Sequence, residues 1–339
     1  DPHVDAGRPP PIPSHSSPPH GPAGTFAISR LILGRNDPNG NTNNELWKTI
    51  GYNLDFTVTG KTSAGVIVGD SVCNRVNGAS FDTIADGVSG RDNAFGSTIL
   101  PIMLAVNGGV EQATNALILD GKRTLLIDID GLGSAATYQS LTVRLYEGRL
   151  LADAQGMSMK PVFDGSDIWP ITHESVSDGM ADKPLAVTAD GYVAEEGPGG
   201  TLVAEFENSI ELTLDALGLP NEQGIGQIRI QRPLVTLQFS ADRSHIDSGT
   251  LAGIIDTVEL QAEFTRLTGI IDNTLCKSAT VDSVRNLVAQ SSDITADGQP
   301  HLGVTCNSIS IGIQFEAAPA QLGTLLPPAA SLQNPCAAP

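Results

Sequence analysis

Apolar and polar residues alternate with a period of two along much of the chain, and each such run predicts a half-buried strand. The runs are TFAISRLILG at 25–34, TLLIDIDGL at 124–132, SLTVRLYEGRLL at 140–151, LVAEFENSIELTL at 202–214, GQIRIQRPLVTLQFSAD at 226–242 and CNSISIGIQFEA at 306–317. WKTIGYNLDFTVTG at 47–60 alternates in part, with Trp47 and Tyr52 as anchors. Within TLLIDIDGL, Leu126, Asp128 and Asp130 share one face and Leu125, Ile127 and Ile129 the other. Pro233 cannot donate to a ladder and marks an edge or a break in its run. Helical spacing predicts 94–106, where Asp92 or Asn93 fits an N-cap, and a shorter helix at 109–118. From 249 to 271, Leu251, Ile254, Ile255, Val258 and Leu267 fall near helical spacing, with Ser248 as the cap. The pattern repeats at 279–290 through Val281, Val284, Leu287 and Val288.

This order of elements predicts a mainly β fold with a few packed helices. We expect a twisted antiparallel β-sandwich, lectin-like or jelly-roll-like, with helices at one end or edge. No regular βαβ alternation is present, which argues against a doubly wound sheet. The strands span both halves and the helices interleave, so the reading is one composite domain over 25–326, with helical insertions near 93–118 and 249–290. It is flanked by two tails. Residues 1–24 form a Pro/Ser/His tail with little to bury, expected as a polyproline-like linker unless it docks on a partner such as a second copy. Residues 327–339 are rich in Pro and Ala.

Charge narrows the function classes. The 339 residues carry 38 Asp and Glu against 19 Lys and Arg, a net charge of −19. Phosphates need clustered Lys and Arg, so nucleic acid is excluded as a partner, and an anionic membrane surface is disfavoured. No apolar run approaches the length of a membrane span. The acidity suits an extracellular protein and a divalent cation such as calcium. The four cysteines, Cys73, Cys276, Cys306 and Cys336, include no CxxC pair, so two disulfides in an oxidising compartment are expected. Three connectivities exist; short loop closure selects Cys276–Cys306 with Cys73–Cys336. The chain opens on Asp1 rather than Met, which reads as a leader removed after export.

The Asp-rich segment at 70–106 holds the first candidate site. Asp70, Asp82, Asp86, Asp92 and Asn93 supply hard oxygen ligands of the kind calcium takes. Their spacing is not that of an EF-hand, and turn and cap chemistry at Asp86-Gly87 and Asp92-Asn93 is the preferred alternative. Asp128 with Asp130, and Glu205 with Glu207, share strand faces as the acid and base of a glycosidase do. Neither pair has the third carboxylate of a concanavalin-like triad, and an exposed polar strand face explains them more simply. FDGSDIWPITHE at 163–174 gathers Asp164, Asp167, Trp169, His173 and Glu174 as a conceivable ligand mouth, but lacks zinc spacing. No nucleophile elbow, P-loop or dinucleotide fingerprint is present.

Several segments together resemble a group of uncharacterised bacterial secreted proteins and lipoproteins of myxobacterial type. They are DG..GRDNAFG at 86–96, LLIDIDG at 125–131, RLYEG at 144–148, PVFDGSDIW at 161–169, DGYVAEEG at 190–197 and CNSISIGIQFEAAPAQLG at 306–323. The resemblance implies envelope export, with or without a lipid anchor before processing, and a β-rich fold similar to lectin-like sandwiches. It implies no activity. The favoured reading is a secreted or cell-surface, non-enzymatic protein that binds or self-assembles, with itself, another envelope protein or a glycan as partner. The alternative is a secreted carbohydrate hydrolase using the paired carboxylates.

Overall fold

The computed structural model describes residues 7–37, 40–61, 67–69, 73–80, 82–176, 187–219, 224–328 and 332–337. The strands among them are β1 (Gly24–Ile32), β2 (Thr59–Lys61), β3 (Ile67–Gly69), β4 (Arg123–Asp130), β5 (Tyr138–Arg149), β6 (Ile168–Ile171), β7 (Val187–Ala194), β8 (Thr201–Glu205), β9 (Ile210–Asp215), β10 (Ile225–Phe239), β11 (Ile246–Asp256) and β12 (Ser308–Leu325). The helices are α1 (Leu100–Val106), α2 (Val110–Leu119), α3 (Thr257–Ile271) and α4 (Ala279–Gln290).

Eight of the strands close into an antiparallel barrel in the order β1, β4, β5, β7, β8, β10, β11, β12 and back to β1. Two strands lie outside the ring: β6 runs parallel to the end of β12, and β9 pairs with the first half of β10. This corrects the expected β-sandwich. Period-two alternation is common to sandwiches and barrels. What separates them here is that β1 and β12, at opposite ends of the chain, pair from Thr25↔Ala320 to Ile32↔Gln314. That pairing eliminates the two edges a sandwich would leave.

The inner faces fill the barrel, as eight strands allow. Phe26 and Phe239 meet with ring centroids 6.0 Å apart. Ile311, Ile313 and Phe315 of β12 belong to the same core as Leu251 and Ile255 of β11. Gly249 is required beside them, because a Cβ there would stand 2.1 Å from the Phe315 ring. Outward positions such as Arg144, Asp190, Glu205 and Arg229 are half-buried or exposed. This polarity is the inverse of an outer-membrane barrel, whose lipid face is apolar. No described helix is long and apolar enough to cross a membrane.

The strand runs at 25–34, 124–132, 140–151, 226–242 and 306–317 hold in position, 202–214 divides into β8 and β9, and 47–60 is a 3-10 turn and a loop that reaches β2 only at Thr59; Pro233 sits at a register shift of β10 between Gln231 and Leu234. The helix expected at 249–271 is half strand. β11 occupies Ile246–Asp256 and α3 begins at Thr257, capped by Asp256, which accepts from Val258 N at 2.8 Å and Glu259 N at 2.9 Å. Residues 251–255 are buried on both faces, so their apolar run lacks the alternation that would have marked a strand.

Residues 7–23 pack on their own barrel. Pro10 O accepts from Tyr192 Oη at 2.6 Å, Pro13 O from Gln139 Nε2 at 2.8 Å, and His15 O from Thr137 Oγ1 at 2.9 Å. The docking partner expected for an ordered tail is therefore the chain itself. Its proline carbonyls have no helical or sheet partner and are satisfied by side chains of β5 and β7.

Both disulfides form, but with the other connectivity: Cys73–Cys306 and Cys276–Cys336, with sequence separations of 233 and 60. Loop length misled because tertiary proximity decides pairing. Cys73 lies beside the start of β12, where Asn74 N donates to Val304 O at 2.7 Å. Cys336 folds back on α3, and a Cβ on Gly269 would meet its sulfur at 2.4 Å. Replacing Cys276 and Cys336 together with serine is expected to cost about 2–4 kcal/mol. Non-reducing peptide mapping and urea unfolding check the pairing and the loss.

Candidate functional site: a carboxylate hub and an opening in the barrel wall

The Asp-rich segment lies against the outer face of β12. Asn93 is its centre. Its Nδ2 donates to Ile50 O at 3.3 Å and Gly312 O at 3.1 Å, and its Oδ1 accepts from Gly96 N at 2.9 Å and Gly312 N at 3.0 Å. The last two bonds cap the following helix and tie it to β12. That helix starts as a π-turn over Phe95–Ile99 and continues as α1. Gly312 is needed because Gly51 Cα lies 2.6 Å from where a Cβ would stand. Asn93 is thus a clamp whose Oδ1, offered as a metal ligand, accepts from two backbone N–H groups, as the cap reading expects.

Asp86 and Asp92 do come together, within hydrogen-bonding reach of each other. Asp92 Oδ2 accepts from Leu54 N at 2.7 Å, and Asp86 Oδ2 from Thr59 N at 2.6 Å. Two carboxylates that the sequence did not single out join them. Asp55 accepts from Thr57 N at 2.8 Å, and Asp293 binds Ser310 through N at 2.8 Å and Oγ at 2.5 Å. Burial raises the pKa of all four, and their mutual repulsion pushes Asp86, Asp92 and Asp293 further in the same direction; Asp86 and Asp293 reach about 7. Asp82 is exposed in a local turn with Ser80 and is not part of this hub, while Asp70 lies outside the described residues. Among the described residues, no group of three or more His, Cys, Asp or Glu is arranged to hold a metal ion. The hub is suited to holding protons between its carboxyls.

The strand-face carboxylates are placed for structure. Asp128 is buried and accepts from Thr25 Oγ1 at 2.9 Å and Arg144 Nη1 at 3.2 Å, while Asp130 is exposed beside the same guanidinium at 3.6 Å. Glu205 and Glu207 are exposed, with Arg232 3.6 Å from Glu205. Of the aromatics that could stack on a sugar, Trp169 and Tyr138 are fully buried. In the segment at 163–174, Asp167 closes a turn by accepting from Val162 N and Phe163 N, and Trp169 packs on Leu126 beneath β6.

A different feature has the shape of a binding site. β7 pairs with β5 only as far as Leu145, and β9 does not pair with β5 at all. Among the described residues, the wall therefore opens between them into the end of the apolar interior. The opening is a crevice with a cavity volume of about 40 Å³, with Ile28, Leu31, Leu125, Leu212 and Leu251 among its walls. Arg123 and Glu147, paired at 2.6 Å, lie at its floor, and α2 closes its end. Glu211 stands at the rim. Its pKa is raised by burial, opposed by Arg229 and reinforced by Glu147, Glu263 and Glu174. The sequence does not mark these residues, because their strands are regular; they stand out because, among the described residues, β9 pairs with β10 alone. No family model matches this chain, and neither a curated protein nor a solved structure matches it.

Proposed function

We propose that the protein is an exported, non-enzymatic binding protein of the cell surface or its surroundings. The crevice between β5 and β9 supports this reading: among the described residues it is a small, mostly apolar recess on which Arg123, Glu147 and Glu211 converge, on a scaffold whose interior is otherwise filled. Two disulfides suit an oxidising compartment. The resemblance of its motifs to exported envelope proteins points the same way. The paired carboxylates support no hydrolase, since Asp128 is buried against a guanidinium and Glu205 and Glu207 stand exposed.

Nile red, a neutral apolar dye, tests the opening. We expect one dye per chain with blue-shifted emission. Leu125→Trp, which fills the space from a half-buried position, is expected to weaken binding about tenfold while leaving the melting temperature within a few degrees. Absence of dye binding, or binding indifferent to Leu125→Trp, removes the reading.

A further inference from the structure

We infer that a second cavity, between the segment 34–47 and the helix that follows Asn93, binds a single sugar ring carrying a carboxylate, a hexuronate. It shares no lining residue with the crevice between β5 and β9 and does not depend on it. Its volume is about 290 Å³. That is near the lower end of the roughly 300–1,000 Å³ of small-molecule sites, room for one ring rather than a chain. Arg35, Asn44 and Trp47 line it from the loop side, and Ser97, Leu100 and Leu104 from the helix. Both sides are held in place. Arg35 O accepts from Asn43 N at 2.7 Å, and Trp47 O accepts from Ile50 N at 3.2 Å and from Asn93 Nδ2 at 3.4 Å. Two glycines make room for Trp47. A Cβ on Gly96 would stand 2.7 Å from Trp47 Cβ, and one on Gly34, whose φ is +113°, would stand 3.3 Å from it. The helix side begins as the π-turn, an uncommon widening that recurs at ligand sites.

The chemistry of the walls selects the ligand. Among the described residues, the Arg35 guanidinium, the Asn44 amide and the Trp47 Nε1 make no hydrogen bond or ion pair. The chain has 38 acidic residues against 19 basic ones, so a half-buried guanidinium with no carboxylate beside it stands out. The acid on the same wall, Glu45, is taken up by Lys48. The planar fork of Arg35 matches a carboxylate in two parallel bonds. Asn44 and Ser97 Oγ exchange hydrogen bonds with ring hydroxyls. The indole of Trp47, with Leu100 and Leu104, meets the C–H face of the ring. An aromatic carboxylate would use the guanidinium and the indole but leave the amide and the hydroxyl unused. Arg35 is the one cation among the described lining residues, which suits a single negative charge better than a phosphate.

The probe is methyl β-D-glucuronide, followed through the indole N–H resonances of the full chain. The chain has two tryptophans. Trp47 lies at the cavity and Trp169 is fully buried elsewhere, so one indole reports the ligand and the other the fold. Trp47→Phe assigns the two signals. We expect the Trp47 signal to shift saturably, with a dissociation constant on the order of 1 mM, while the Trp169 signal stays in place. Arg35→Gln is expected to weaken binding at least about tenfold with the Trp169 signal unchanged, and Arg35→Lys to fall between it and the parent. Methyl β-D-glucoside, benzoate and inorganic phosphate are each expected to bind at least about tenfold more weakly than the glucuronide. No Trp47 shift at about ten times the expected constant overturns the proposal. So does equal binding of the glucoside or an unchanged Arg35→Gln, which removes the carboxylate. Equal binding of benzoate removes the sugar, and equal binding of phosphate reduces the site to a bare anion contact; either overturns it. Leu125→Trp is expected to leave the glucuronide titration unchanged, so failure of this site and failure of the Nile red crevice are told apart.

Discussion

Asn93→Ala is expected to lower the unfolding free energy by on the order of 4 kcal/mol. The side chain is 2 % exposed and sits between the π-turn, the loop at 47–51 and β12. Removing it leaves Gly312 N and Gly312 O without the partners they now have, and Gly96 N without its cap. Water has little room to replace them, since the Gly51 and Gly312 backbones are in van der Waals contact there. Each buried group left unpaired costs about 1–3 kcal/mol, and several are orphaned together. Asn93→Asp keeps both acceptor bonds and loses the donors, so it should be destabilised as well, by loss of the bonds to Ile50 O and Gly312 O and by burial of a charge. Urea unfolding with an unchanged m-value measures this directly. A loss under about 1 kcal/mol would show that the helix and β12 are held together by other contacts.

Which parts of this were legible in the sequence follows from how local each cause is. The positions of β1, β4, β5, β8, β9, β10 and β12 and the helices α1, α2 and α4 are written in local periodicity, whereas β6, β7 and β11 are not. The cap at Asn93 is visible because a capping residue acts within its own turn. Barrel closure is not local, as it depends on β1 meeting β12 from the far end of the chain. The same holds for the disulfides, where Cys73 pairs with Cys306 across 233 residues. The hub was half legible: Asp86 and Asp92 stand out in a loop, while Asp55 sits in a strand-like run and Asp293 follows a helix. Their convergence needs β12 to bring Ser310 against Asp293 and Ala94 N against Ser310 Oγ at 2.8 Å. The opening is illegible in the sequence, because Glu211 and Thr213 have the pattern of any alternating strand and only the topology of the described residues sets them beside it.

Stability is expected to fall as pH rises from about 4 to 8, opposite to the usual behaviour of a protein held by ionised carboxylates. Asp86 and Asp293 rise from 3.8 to about 7 in the folded protein, with Asp55 and Asp92 raised beside them. A carboxyl with a raised folded pKa binds its proton more tightly folded than unfolded. Its contribution is complete below the unfolded value and is lost as pH passes through the folded one. Three units on one fully buried group would correspond to about 4 kcal/mol; with Asp86 and Asp293 half-buried at residue level, an overall loss on the order of 3 kcal/mol is the expectation. Below pH 4 the trend reverses. Asp242 and Asp297, exposed acceptors with pKa values lowered to about 2 by hydrogen bonds, give up their contributions as they protonate. The melting temperature should therefore peak near pH 4–5 and drop by several degrees at pH 8, and Asp86→Asn should flatten that drop because one of the repelling charges is gone. Calcium separates the two occupants the hub admits. If protons hold it, the melting temperature at pH 8 is the same in calcium and in chelator. If calcium restores at pH 8 what the proton supplies at pH 5, and Asp86→Asn abolishes the restoration, the hub is a cation site and the proton reading fails.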